Sequence, residues 1–252
     1  MKSPLRLLQI LFWLVFASAH LAAETSVLKS RLSIEVEGEV RYYTLSRPEK
    51  FEAGVSYPLI FGFHGSRVEV KAWLQDYTRF DSFIPEKKFI IVYPEGPIGW
   101  SSKLSGHDLP FFDSMVAQFK KDFPIDESRI YVFGHSNGAR FATYLLCARS
   151  EVIAAVAAHS GIYPPSANQL PLPEHKRPLF VIWGEKDEFS PAASRQVQAS
   201  IKDFERSGFP VETLVLPNWG HSWGGQPNQV EEKMLAFFFS HTLAKTAEPA
   251  KP

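Results

Sequence analysis

Four short apolar runs that do not alternate with polar residues constrain this chain more than any other feature. They are Pro58 to Phe63, Phe89 to Tyr93, Ile130 to Phe133 and Leu179 to Trp183. A strand with one face in water alternates, so a strand apolar at nearly every position must be covered on both faces, as in a parallel sheet flanked by helices. Val152 to Ala158 is Ala-rich and could suit a helix, but its place between helical segments predicts a fifth buried strand. Phe112, Met115, Val116, Phe119 and Phe123 fall on one helical face before Pro124. Ser190 and Pro191 predict an N-cap and first-turn proline for a helix carrying Val197, Ile201 and Phe204, which stops near Gly208. Val230, Met234, Phe237 and Phe238 mark the last helix. Leu32 to Val36, in contrast, does alternate; with Gly38 and the β-rich run Val40 to Leu45 it predicts an antiparallel entry hairpin. Strand and helix repeated in this way predict an α/β three-layer sandwich with a mostly parallel sheet. Five prolines between 164 and 178 make that connection a loop, and no large lid domain is expected.

A chain of 252 residues suits one such domain. Lys2 and Arg6 precede an apolar run from Leu7 to Ala17, and small residues follow up to Ala23. This pattern predicts a secretory signal peptide over 1–23, cleaved after Ala19 or Ala23, and an exported protein, periplasmic or secreted. The run is too short for a permanent membrane span. Cleavage leaves 25 basic against 27 acidic side chains, and no Lys/Arg run is available to neutralise a phosphate backbone, so nucleic acid is not an expected partner. Cys147 is the only cysteine; no intrachain disulfide can form, and burial must hold the fold, with Cys147 itself a small buried hydrophobe. The domain is expected over 24–244, with a polar, mobile tail over 245–252.

The chemistry concentrates at Gly134-His135-Ser136-Asn137-Gly138, between the run ending at Phe133 and a helical stretch from Ala139 to Ala148. Glycines flanking a serine at a strand-to-helix turn are the pattern of a nucleophile elbow, which lifts the hydroxyl to the carboxyl edge of the sheet. A serine hydroxyl needs a base, and the base needs an acceptor to hold its tautomer. In the chain order Ser, acid, His, the downstream histidines are His159, His175, His221 and His241. His221 alone lies in a late loop between a strand and the final helix. Glu185, Asp187 and Glu188 all follow the run ending at Trp183 and compete for the acid role. Two backbone N–H groups, Asn137 and Ser66, are the expected oxyanion donors.

These residues resemble the α/β-hydrolase esterases grouped with polyhydroxybutyrate depolymerases, feruloyl esterases and acetyl xylan esterases, over roughly residues 40 to 240. Tyr57-Pro58-Leu59-Ile60 leading to His64-Gly65 resembles that group's oxyanion strand. Tyr93-Pro94-Glu95-Gly96 with Trp100 resembles its second signature, and Asp126 to Val132 its approach to the elbow. The resemblance assigns Asp187 as the acid, beside Ser136 and His221. It implies a serine carboxylic-ester hydrolase without cofactor or metal, acting through an acyl-enzyme on soluble or side-chain feruloyl, acetyl or short hydroxyalkanoate esters. Such esters are small molecules or polysaccharide-linked. Trp100, Trp219 and Trp223 are candidates for the acyl or sugar subsite. Trp183, where a histidine often stands, and Ala139-Arg140, where a further glycine is common, depart from the pattern. A serine peptidase or acyltransferase would use the same machinery, and a noncatalytic binding protein could keep the scaffold. Oligomeric state is not readable from the chain.

Overall fold

The computed structural model describes residues 26–66, 74–75, 78–97, 99–103, 106–168, 170–187 and 191–244. The expected leader, the tail over 245–252, Glu188 and the N-cap at Ser190 lie outside them. Among the described residues the strands are β1 (Val27–Val36), β2 (Glu39–Pro48), β3 (Tyr57–Phe63) and β4 (Ile90–Pro94). They continue as β5 (Ile125–His135), β6 (Ala155–His159), β7 (Leu179–Gly184) and β8 (Val211–Leu216). One sheet holds them in the order β1-β2-β4-β3-β5-β6-β7-β8. The pairs β1 with β2 and β2 with β4 are antiparallel, and every later pairing is parallel. This is the α/β sandwich with an antiparallel N-terminal hairpin that the apolar runs predict. β5 extends further back than its apolar run, because Ile125 pairs with Tyr57 across a register shift before Leu59.

The absence of alternation in the central strands now has a physical reason. Leu59, Phe61, Phe63, Ile130, Val132, Val156 and Val181 point to one core, and Ile60, Tyr131, Phe133, Ala155, Ala157, Phe180 and Ile182 to the other. Helices α1 (Asp108–Asp122), α2 (Asn137–Ala148) and α3 (Pro191–Arg206) cover the first face. Helix α4 (Val230–Phe239) and the helical turns over 80–87 cover the second. Cys147 is buried on α2, and burial pushes its thiol up to about 11, which suits a packing residue and not a nucleophile.

The sheet order also decides where a cleft can open. β3 is followed in sequence by its neighbour β4 on one side, while β5 is followed by β6 on the other. The chain therefore leaves the carboxyl ends of β3 and β5 in opposite directions, leaving a crevice between them. Into that crevice α2 begins almost in backbone contact with the sheet. A Cβ placed on Gly138 would sit 2.0 Å from the Phe63 carbonyl oxygen, and one on Gly134 would sit 2.2 Å from the Gly138 carbonyl carbon. Gly138→Ala is accordingly expected to lower the unfolding free energy by about 1–3 kcal/mol, since backbone and not a flexible side chain must yield. Urea denaturation of the variant against the parent checks this; unchanged stability would contradict it.

Candidate active site

Ser136 stands alone between β5 and α2 with φ 55° and ψ −115°, a left-handed conformation that a residue with a Cβ adopts only under constraint. The constraint is visible. Its N–H donates to the His159 carbonyl at 2.8 Å, and its own carbonyl accepts from Arg140 N–H in the first turn of α2 at 3.2 Å. The side chain opens into a cleft of about 260 Å³ that Ser66, Asn137, Asp187 and His221 also line. Ile162 and Val197 supply its apolar wall, and Arg140 and Gln196 add polar groups.

The expected base and acid meet. His221 Nδ1 lies 3.0 Å from both Asp187 oxygens, with Asp187 side chain 10% and His221 side chain 17% exposed. A carboxylate accepts only, so Nδ1 carries the hydrogen and Nε2 is left as the basic nitrogen. The two loops are tied by backbone bonds: Glu185 N–H to Leu216 O at 3.0 Å and Lys186 N–H to Trp219 O at 2.7 Å. That contact requires glycine at the end of β7, because a Cβ on Gly184 would fall 2.2 Å from the Gly220 carbonyl. Glu185 faces elsewhere, accepting the Asn218 N–H at 2.9 Å.

Ser66 follows β3, where the loop presses so close that a Cβ on Gly65 would lie 3.3 Å from Ser136 Cβ. Trp100 braces this loop: its indole N–H donates to the His64 carbonyl at 2.8 Å, and its backbone N–H donates to Asn137 Oδ1 at 2.6 Å. His64 Nε2 accepts the Gly96 N–H at 2.9 Å while Nδ1 donates to the Gly65 carbonyl. One tryptophan and two side-chain acceptors thus hold both segments that carry the expected oxyanion donors. Sequence reading missed the part played by the Asn137 side chain and by His64, since the partners lie 32 to 37 residues away and leave no local signal.

The structure does not bring the three tryptophans to the cleft of Ser136. Trp100 is 6% exposed and packs against Phe63 and Phe141, bordering a second cleft that shares Asn137 with the first. Trp223 is buried among Phe80, Phe133 and His159, with its N–H on Glu231 at 2.9 Å. Trp219 is partly exposed and donates to the Ser222 carbonyl. Each indole spends its single donor inside the protein, which makes these rings braces of the loops.

Residues 103–237 match the dienelactone hydrolase family. The chain belongs to the dienelactone hydrolase family. A bifunctional acetylxylan esterase/xylanase of Neocallimastix patriciarum is 28% identical over 151 residues, covering 58% of this chain and 21% of that protein. A probable feruloyl esterase C of Aspergillus terreus is 32% identical over 127 residues, 48% of this chain and 46% of that one. The chain spans about half the length, or less, of the curated relatives it matches. Among solved structures, a ferulic acid esterase superposes with a TM-score of 0.65 at 18% identity, over 85% of this chain and 98% of that one. This likeness shows the α/β-hydrolase fold, which the dienelactone hydrolase match shares.

Two buried histidines behind the cleft make this family member's stability sensitive to acid. Burial, the largest cause, lowers His135 from 6.5 to about 4, and burial drives His159 well below its ordinary value. An unfolded histidine binds its proton near 6.5, so below that pH the unfolded state holds more protons than the folded one. The stabilisation is complete above pH 6.5 and is lost as pH falls toward 4, by about 1.4 kcal/mol per pH unit for each neutral buried histidine. Urea titrations at pH 7 and 5 are expected to show this loss, with a shallower slope in His159→Phe; an equal slope would exclude His159 as a contributor.

Proposed function

We propose that this protein is an exported serine carboxylic-ester hydrolase in which Ser136 is the nucleophile, His221 the general acid/base and Asp187 its orienting acid. The observation that carries the reading is the Asp187–His221 pair, both oxygens at 3.0 Å, facing the same cleft as a serine held at φ 55°. Names of the curated relatives, acetylxylan and feruloyl esterases, support an ester as substrate. The leader over 1–23 supports export, and no described helix is long and apolar enough to cross a membrane.

Ser136 Oγ attacks the ester carbonyl as its proton passes to His221 Nε2, and Asp187 stabilises the imidazolium that forms. The oxyanion receives the Asn137 and Ser66 backbone N–H groups, placed by the start of α2 and the loop after β3. Collapse breaks the carbonyl–alkoxy bond and returns the proton from Nε2 to the leaving alcohol. Water then gives a proton to His221 and attacks the acyl-serine, releasing the acid and restoring Ser136. The cleft, about 260 Å³ with Ile162 and Val197 on one side, favours compact acyl groups such as acetyl, short hydroxyalkanoyl or feruloyl. By the names of the relatives, the alcohol is small or part of a polysaccharide.

A fluorophosphonate probe tests the nucleophile without presuming a substrate. Intact-mass and peptide mapping are expected to show one label on Ser136, absent from Ser136→Ala; a folded protein that takes no label would overturn the reading. Asp187→Asn is expected to lower kcat toward short-chain esters about 10⁴-fold with the fold retained, because the tautomer of His221 is no longer set. Activity close to the parent's would remove Asp187 from the acid role.

A further inference from the structure

The residue before the serine is a histidine, and nothing in the reaction just described uses it. His135 closes β5, is 2% exposed, and places Nε2 2.7 Å from the backbone carbonyl oxygen of His221. Its ring centroid lies 5.2 Å from the His221 ring and 5.2 Å from the His159 ring, with Trp223 edge-on at 6.1 Å. We propose that His135 is the positioning residue for His221, donating Nε2–H to the His221 carbonyl and so fixing the loop from which the base reaches Ser136. The proposal rests on reading His221 as the general base.

The donor assignment follows from chemistry. A carbonyl oxygen only accepts, so Nε2 of His135 must carry the hydrogen. The groups facing His135 are His221 and Asp187 in front, His159 behind, and the Trp223 ring at the side. Burial, the largest influence, and the His221 ring oppose a charge on His135, whereas the His221 carbonyl and the Asp187 carboxylate favour one. A neutral imidazole here can hold the loop without adding a positive charge behind His221 at the moment that ring becomes an imidazolium.

The loop needs such a hold. Between Leu216 and Gly225 it has no helix or strand of its own. Its ties include Lys186 N–H to the Trp219 carbonyl, Asn218 N–H to Glu185, the Trp219 indole to Ser222 and the Trp223 indole to Glu231. His135 adds a bond directly to the His221 carbonyl. Because His135 and Ser136 are covalent neighbours, the strand end that sets the nucleophile sets the base as well. The separation between Oγ and Nε2 then depends on a few stiff torsions instead of the path through 84 intervening residues. His159 stacks on Trp223 at 4.8 Å and closes the back of the His135 ring, which limits its rotation.

His135→Phe keeps a ring of similar shape and removes the donor, while His135→Gln keeps a donor. The expected result in His135→Phe is a fall in kcat of about 10²-fold at a KM within about twofold of the parent's, the size of effect that a 1 Å misplacement gives. His135→Gln is expected to recover most of that loss. Retained kcat in His135→Phe would overturn the proposal, as would a His135→Gln enzyme just as impaired. If His135→Phe fails to fold, ¹⁵N-histidine NMR of the unaltered protein decides: a neutral Nε2–H tautomer at His135 between pH 6 and 8 supports the assignment, and an Nδ1–H tautomer or an imidazolium overturns it. His221→Ala in the same assay separates the two readings. An active His221→Ala would sink the triad itself, whereas an inactive one beside an active His135→Phe sinks this proposal alone.

Discussion

Everything at the cleft hangs from the near-contact of two backbones, that of α2's first turn and that of the end of β3. Ordinary side chains hold a helix well away from the sheet it covers; here positions 134 and 138 carry none, and the helix start drops to where a single methyl group would strike the Phe63 carbonyl. Only at that depth can the turn at 136 lift its side chain above the strand ends. The left-handed conformation of Ser136 costs about 1–3 kcal/mol by itself. It persists because the surroundings over-determine it: a sheet-like bond to His159, a helical bond from Arg140, and the burial of Phe141, Tyr144 and Leu145 behind α2. Stability accumulated in the core is thereby spent as geometry at one residue.

The second constraint is the stitching of the β7 and β8 loops, and it decides which of the two described carboxylates after Trp183 comes within reach of His221. Three carboxylates follow Trp183. The bond from Lys186 N–H to the Trp219 carbonyl, with the Gly184–Gly220 contact beneath it, turns the chain so that Asp187 meets His221. Glu185, two residues earlier, is turned to the Asn218 N–H at the neighbouring bend. Asn218 has φ 58°, a conformation asparagine tolerates better than most residues, and that bend brings the following Trp219 and Gly220 against β7.

The periodic features of the fold were legible in the chain for a physical reason. Burial on both faces removes alternation from a strand, so β3, β4, β5 and β7 declare themselves, as do the hairpin and the apolar faces of α1 and α4. The elbow is equally legible, because its requirements are local: two absent Cβ atoms around one serine. What escaped depends on partners far apart in sequence. Trp100 looked like a ligand-facing aromatic, yet its two donors go to His64 and Asn137, 36 and 37 residues away. Trp223 is likewise claimed by Glu231 and the second core. An indole next to a catalytic motif has the same local signature whether it faces a substrate or holds a loop, and only tertiary contacts separate the two. Asp187 is the converse: the resemblance singled it out where spacing left three candidates, and it lies 3.0 Å from His221 Nδ1.

Rigid groups dominate the layer behind the cleft, and their order explains how a loop without regular structure can hold the His221 ring in place. From the strand end inward run His221, His135, His159 and Trp223, each ring within 5.2 Å of the next. The column ends on the Glu231 carboxylate, which accepts both the Trp223 N–H and the Arg79 backbone N–H and so joins α4 to the segment before β4. Aromatic and imidazole side chains have two torsions each and lose little entropy on being fixed, whereas a column of longer flexible side chains would have to be frozen at greater cost. Keeping His135 and His159 uncharged avoids the desolvation penalty of buried cations, while His221, at the outer end of the column, is partly open to solvent. The uncharged rings thus form a stiff, preorganised support directly behind the His221 ring.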